Sequence, residues 1–168
     1  MAEQFLTLMA DLDDNSQKVM SDLYDELKNE GFDGKQTHGL PFHISLACYN
    51  TDKEDEVVEH VKNIAKELSK IQVYISHIGV FPGGKVLFGA PDMSEDLFNL
   101  HEKSLLDSEG NIEEFIWTPH STFIIDEPET IAAALPILAK SFVPFHGQII
   151  RLHLCAFWPT REILSIEL

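Results

Sequence analysis

The amino-acid sequence predicts an α+β protein: a duplicated, two-lobed fold with pseudo-two-fold symmetry, mainly antiparallel sheets facing a central cleft, and helices outside. Three observations predict it. Apolar residues switch repeatedly between alternate spacing, which suits a half-buried strand, and helical spacing. The order helix, strand, helix, strand, turn, strand occurs twice. The two occurrences match at a constant offset of 77 residues, which carries His43 onto His120, Ser45 onto Thr122 and Pro82 onto Pro159 without a gap. The units so matched run from about 43 to 87 and from about 120 to 164, inside a single two-lobed domain covering 1–168.

Each element has a local cause. Residues 4–9 alternate and predict a first strand, and residues 13–29 carry Val19, Met20, Leu23, Tyr24 and Leu27 at helical spacing. Gly31 and Gly34 end that helix. Residues 41–49 predict a strand, and Asp52 opens a second helix striped by Val57, Val58, Val61, Ile64, Ala65 and Leu68. Strands at 73–81 and 85–90 flank Pro82-Gly83-Gly84, which is hairpin chemistry. In the second half, Ser94 caps a helix carrying Leu97, Phe98, Leu100, His101 and Leu105, and a strand at 117–125 follows Gly110. Pro128 starts a helix over 129–141 that contains Pro136. Strands at 148–158 and 162–167, separated by Pro159-Thr160-Arg161, close the chain.

Composition narrows the partners. Twenty-eight acidic residues against 12 basic ones give a formal charge of −16. Long-range forces then repel a polyanion, which disfavours extended binding to DNA or long RNA, whereas a terminal phosphate or a small nucleotide needs only local donors. The amino terminus lacks a basic stretch followed by a long apolar run, and nothing later approaches ~18 apolar residues, which predicts a soluble, cytoplasmic protein away from membranes; a monomer is expected. Cys48 and Cys155 lie in apolar strands, where a buried thiol is the ordinary outcome.

The chemistry sits in the repeated His-x-Ser/Thr. With 8 histidines and 18 Ser plus Thr, chance alone supplies roughly one such pair. What raises these two is context: each follows a proline by one or two residues, each falls in a predicted strand, and each occupies the same place in the repeat. Side chains at i and i+2 of a strand share a face. His43 therefore points with Ser45, and His120 with Thr122, while Ile44, Leu46, Ser121 and Phe123 face the other way. If a pseudo-two-fold relates the units, two imidazoles and two hydroxyls surround one cleft.

With Phe42-His43-Ile44-Ser45-Leu46 and Pro119-His120-Ser121-Thr122-Phe123, the chain resembles the two-histidine (2H) phosphoesterase superfamily, in particular its 2′-5′ RNA ligase-like and RNA 2′,3′-cyclic phosphodiesterase branch. The resemblance implies a phosphoric diester hydrolase, with 2′-5′ RNA ligase activity among its possible reactions, that opens a cyclic phosphate on a short RNA end or small nucleotide without metal or cofactor. One histidine takes a proton from water, the other protonates the departing ribose oxygen, and Ser45 and Thr122 hold the phosphoryl oxygens. Which histidine is the acid stays open. Two departures stand out: Ser45 replaces the more usual threonine, and Ile124, Ile125 and Asp126 follow the second motif where RNA-acting members often carry a basic residue. Lys85 and Arg161, just past the two matching turns, are candidate replacements, and Trp158 is a candidate platform for a base. A rival reading keeps the cleft as a nucleotide-binding or regulatory module with little turnover, and a third makes both motifs core strands.

Overall fold

A computed structural model describes residues 3–112 and 116–168. Its first strand, β1 (Phe5–Leu12), runs three residues beyond the predicted 4–9. The extra length follows from pairing on both edges: antiparallel to β2 (His43–Tyr49) on one side and to β6 (Phe145–Phe157) on the other. The remaining strands are β3 (Ile71–Val80), β4 (Val86–Pro91), β5 (Ser121–Ile125) and β7 (Arg161–Glu167). Among the described residues they form one open antiparallel sheet of order β2-β1-β6-β3-β4-β5, with β7 also on β6.

The thirteen-residue β6 divides this sheet into two arms. Its first part, up to Ile149, pairs with β3, and its later part, from Arg151, pairs with β7 on that same edge. One arm is therefore β2-β1-β6-β7 and the other β6-β3-β4-β5. Each sequence unit feeds both arms: 43–87 supplies β2 to the first and β3 to the second, while 120–164 supplies β5 to the second and the start of β7 to the first.

The helices are α1 (Asp14–Asn29), α2 (Glu54–Ala65), α3 (Glu95–Ser104) and α4 (Pro128–Ser141), with a 3-10 turn over Thr51–Lys53 before α2. α1 packs on α4 and α2 on α3. Asp13 caps α1 by accepting from the amides of Asn15 and Ser16 at 3.0 Å, and Ser94 caps α3, accepting from Leu97 at 3.2 Å. Leu6, Leu8, Ala10 and Leu12 of β1 point into the main core with Met20 and Leu27 of α1. Each of these leucines and Met20 contributes about 1.5–3 kcal/mol on burial, and the Ala10 methyl less. The other face of β1 is buried too: Met9 packs with Cys155 and Phe157, joined by Phe5 and Leu40. None of the helices among the described residues is long and apolar enough to cross a membrane.

β2 and β5 end opposite sides of the strand order yet lie against each other without strand pairing. The segment before β5 joins them. Trp117 donates its indole N–H to the Ser45 carbonyl at 2.9 Å, and its ring stacks at 4.1 Å on His101, whose Nδ1 is 2.7 Å from the Leu46 carbonyl. Phe42 and Phe123 meet across the gap at 6.1 Å between centroids. The outer edge of β2 is thus covered by side chains near Ser45 and Leu46 and, further on, by backbone bonds from Asn50 to Gly110 at 2.9 Å and from Ile112 to Cys48 at 2.8 Å, which leaves the two motif strands facing one another.

Candidate active site

His43 opens β2, and the chain just before it is clamped. The Gln17 side chain of α1 accepts from the Phe42 amide at 2.8 Å and donates to the Phe42 carbonyl at 2.7 Å. Nδ1 of His43 lies 2.7 Å from the Pro41 carbonyl. A carbonyl only accepts, so Nδ1 carries the hydrogen and Nε2 is the nitrogen left for chemistry. Burial pushes this imidazole below its ordinary value; the Pro41 carbonyl and Asp11 oppose that, and positive charge on His153 or His120 adds to it.

His120 repeats the device. Its Nδ1 lies 2.8 Å from the Thr118 carbonyl, again two residues back, so Nε2 is again the free nitrogen. The ring lies edge-on to Phe81 at 4.6 Å and tilted against Phe88 at 5.3 Å. Phe88 fits because its partner in the ladder is Gly79, where an added Cβ would lie 2.6 Å from the Phe88 ring. Burial lowers the His120 imidazole as well, with the Thr118 carbonyl opposing.

One expectation needs correction. The strand predicted over 117–125 begins only at Ser121, so His120 precedes β5. The last β4–β5 pair is Gly89 with Ser121. Continuing that register would set Pro119 against Pro91, and neither proline has an N–H to donate. The expected facing is therefore not clean here: Thr122 lines the cleft, but so do the deeply buried Ser121 and Phe123, and His120 does not.

His43, Ser45 and Thr122 line one cleft of about 430 Å³. His120 is not part of its wall, but it stands near enough that its charge depresses His43. Trp158 lies at the rim, 50% exposed, donating to the Thr37 hydroxyl at 3.1 Å with Phe5 edge-on at 5.2 Å. The other predicted residues go elsewhere. Arg161 is gripped by Glu3 at 2.7 Å and Glu54 at 2.6 Å, and Lys85 is exposed 3.7 Å from Glu127; neither lines the cleft. In so acidic a chain a surface cation finds a carboxylate locally.

The cation that does reach the cleft is Lys28, 2.8 Å from Asp25 and 4.8 Å above the Tyr24 ring. On α1 it reads from sequence as part of a solvated face, and only the loop carrying Gln36 and Thr37 makes that face a wall. Gln17 was equally hidden, since besides the Leu12 carbonyl its partners are the backbone groups of Phe42, 25 residues away. Among the described residues, no group of three or more His, Cys, Asp or Glu could hold a metal ion.

A model of the 2′-5′ RNA ligase superfamily matches residues 12–157. The chain belongs to that superfamily. Its fold agrees: E. coli LigT complexed with 3′-AMP superposes with a TM-score of 0.64 at 15% identity, over 99% of each chain. LigT complexed with ATP gives 0.60 at 14% identity over 99% of each. A protein of Bacillus licheniformis, provisionally named a phosphoesterase, is 30% identical over 87 residues, 49% of this chain and 52% of its own. The match spans about half the length of that relative. Family and fold therefore place the chain among the 2′-5′ RNA ligase-like, two-histidine proteins that its two motifs resemble.

Proposed function

We propose that this chain is a metal-independent cyclic phosphodiesterase that hydrolyses the 2′,3′-cyclic phosphate of small nucleotides or short RNA ends, with His43 and His120 as its acid–base pair. The observation that carries this reading is the matched pair of imidazoles, each with Nδ1 bound to the carbonyl two residues back and Nε2 left over, flanking a cleft that Ser45 and Thr122 line. In the forward reaction one Nε2 removes a proton from water as its oxygen bonds to phosphorus. The other Nε2–H protonates the ribose oxygen as its bond to phosphorus breaks. The Ser45 and Thr122 hydroxyls donate to the phosphoryl oxygens, whose charge grows in the transition state.

Substrate size follows from the surroundings. The net charge of −16 disfavours a long polyanion. A cleft of about 430 Å³ with Trp158 at its rim suits one nucleoside stacked on an indole. LigT, which has this fold, binds 3′-AMP in its crystal, consistent with a ligand of that size.

The test is hydrolysis of 2′,3′-cyclic AMP in EDTA. Turnover is expected to persist in the chelator and to vanish in His43→Ala and in His120→Ala, each with an unchanged circular dichroism spectrum. Activity surviving both substitutions, or lost only on chelation, defeats the mechanism. Binding of AMP with no product from the cyclic nucleotide favours the nucleotide-binding module instead.

A further inference from the structure

Beside His43 lies a buried charge that an acid–base pair does not in itself require. Asp11 stands directly opposite His43 in the β1–β2 register and opposite Arg151 in the β1–β6 register. Side chains so paired share a face and lie close together. Asp11 is 1% exposed, and no hydrogen bond reaches either of its oxygens among the described residues. Its neighbours are cations: His153 Nδ1 is 3.3 Å from Oδ2, ionic in geometry, and Arg151 Nη1 is 3.6 Å away. Burying a carboxylate without hydrogen bonds is costly. Thr7 and Met9, the preceding residues on this face of β1, are neutral, so the charge at 11 is not a demand of the strand.

We propose that Asp11 is a positioning residue for His43: its carboxylate, backed by His153, favours the proton on His43 and so gives His43 the acid's part and His120 the base's part. This rests on the phosphodiesterase reading above. His120 Nε2 takes the proton of the attacking water, His43 Nε2–H gives its proton to the ribose oxygen, and both rings return to their starting charge through solvent. The groups around His43 divide by sign. Asp11 comes from β1; Arg151 and His153 come from β6, with Cys155 3.3 Å from His153 Nε2. From β7 come Glu162, 3.0 Å from His153 Nε2, and Glu167, which accepts from Arg151 at 2.9 Å; His120 faces from the other arm. Asp11 opposes the downward push of burial on His43 more strongly than His153 adds to it. At His120, flanked by Phe81 and Phe88, only the Thr118 carbonyl opposes burial.

The test titrates the imidazoles of the full chain by NMR. Asp11→Asn is expected to lower the His43 midpoint and His153→Gln to raise it, with His120 moving less, and in the opposite sense, through its coupling to His43. Loosened packing would only raise the midpoint, so a fall in Asp11→Asn has no structural imitation. In parallel, kcat for 2′,3′-cyclic AMP at pH 8 should drop about tenfold in Asp11→Asn, well short of losing the histidine itself. A His43 midpoint that stays or rises in Asp11→Asn overturns the proposal. A wild-type chain with no turnover but with both titration shifts defeats the phosphodiesterase reading and the acid's part, and leaves the hold of Asp11 on His43 standing.

Discussion

His43 and His120 each give Nδ1–H to the carbonyl two residues back, at 2.7 and 2.8 Å, yet one is set beside a buried carboxylate and the other against a pair of touching phenyl rings. The backbone device is repeated and the surroundings are not. General acid–base catalysis needs that inequality, because one imidazole must arrive neutral and the other charged. The difference comes from the strand behind each motif. β2 lies on β1, which carries Asp11; β5 lies on β4, which carries Phe88 and, through the hairpin with β3, brings Phe81.

The comparison can be broken most sharply at the imidazoles. His43→Asn and His120→Asn should each lower kcat by roughly 10²–10⁴-fold. Each should also remove one limb of the pH–rate profile, and not the same limb. If both variants lose the same limb, the two rings have equivalent roles. Because burial lowers both from 6.5, the wild-type kcat/KM profile should peak on the acid side of pH 6.5, and a maximum near pH 8 would contradict both shifts.

Ser45→Ala and Thr122→Val probe the oxyanion donors on the two sides, each with an expected loss of roughly 10²-fold or more in kcat at nearly constant KM. A change confined to KM would place that hydroxyl in ground-state binding. Phe81→Ala acts on one side only. Opening the wall of His120 relieves its burial, so its NMR midpoint should rise, that of His43 should move less and downward under the added positive charge, and kcat should change less than in the preceding variants.

The smallest expected effect is on stability. Asp11, and after it Cys155, push His153 up to about 10. A raised imidazole stabilises the fold fully below its ordinary value of 6.5, and that contribution is lost as pH climbs through about 10. The melting temperature of the wild type should therefore decline from pH 7 to pH 10, and His153→Gln should decline less. Equal slopes in the two proteins would show that the Asp11–His153 contact contributes nothing to folding.

Much of this was legible before any coordinates. The α+β class followed from spacing, the cap Ser94 from residue type, and the faces of His43, Ser45, Ile44 and Leu46 from the two-residue period of a strand. The early limit of the strand before His120 was written as Pro119, but its force depends on Pro91 in the partner strand, which no local window contains. Arg161 and Lys85 looked available because a sequence does not say which carboxylates lie nearby. Glu3 and Glu54 are 158 and 107 residues from Arg161.

The sequence by itself determined what is local or periodic: the elements, the shared face of His43 and Ser45, and the offset of 77 that makes the motifs a pair. Tertiary structure alone decided which charges meet them. Asp11 and His43 are 32 residues apart in the chain and adjacent in the sheet, and Lys28 becomes part of the cleft only through the loop carrying Gln36 and Thr37. The reason is physical: strand pairing and burial act through space, so the field around a histidine depends on register and packing that its own segment does not encode.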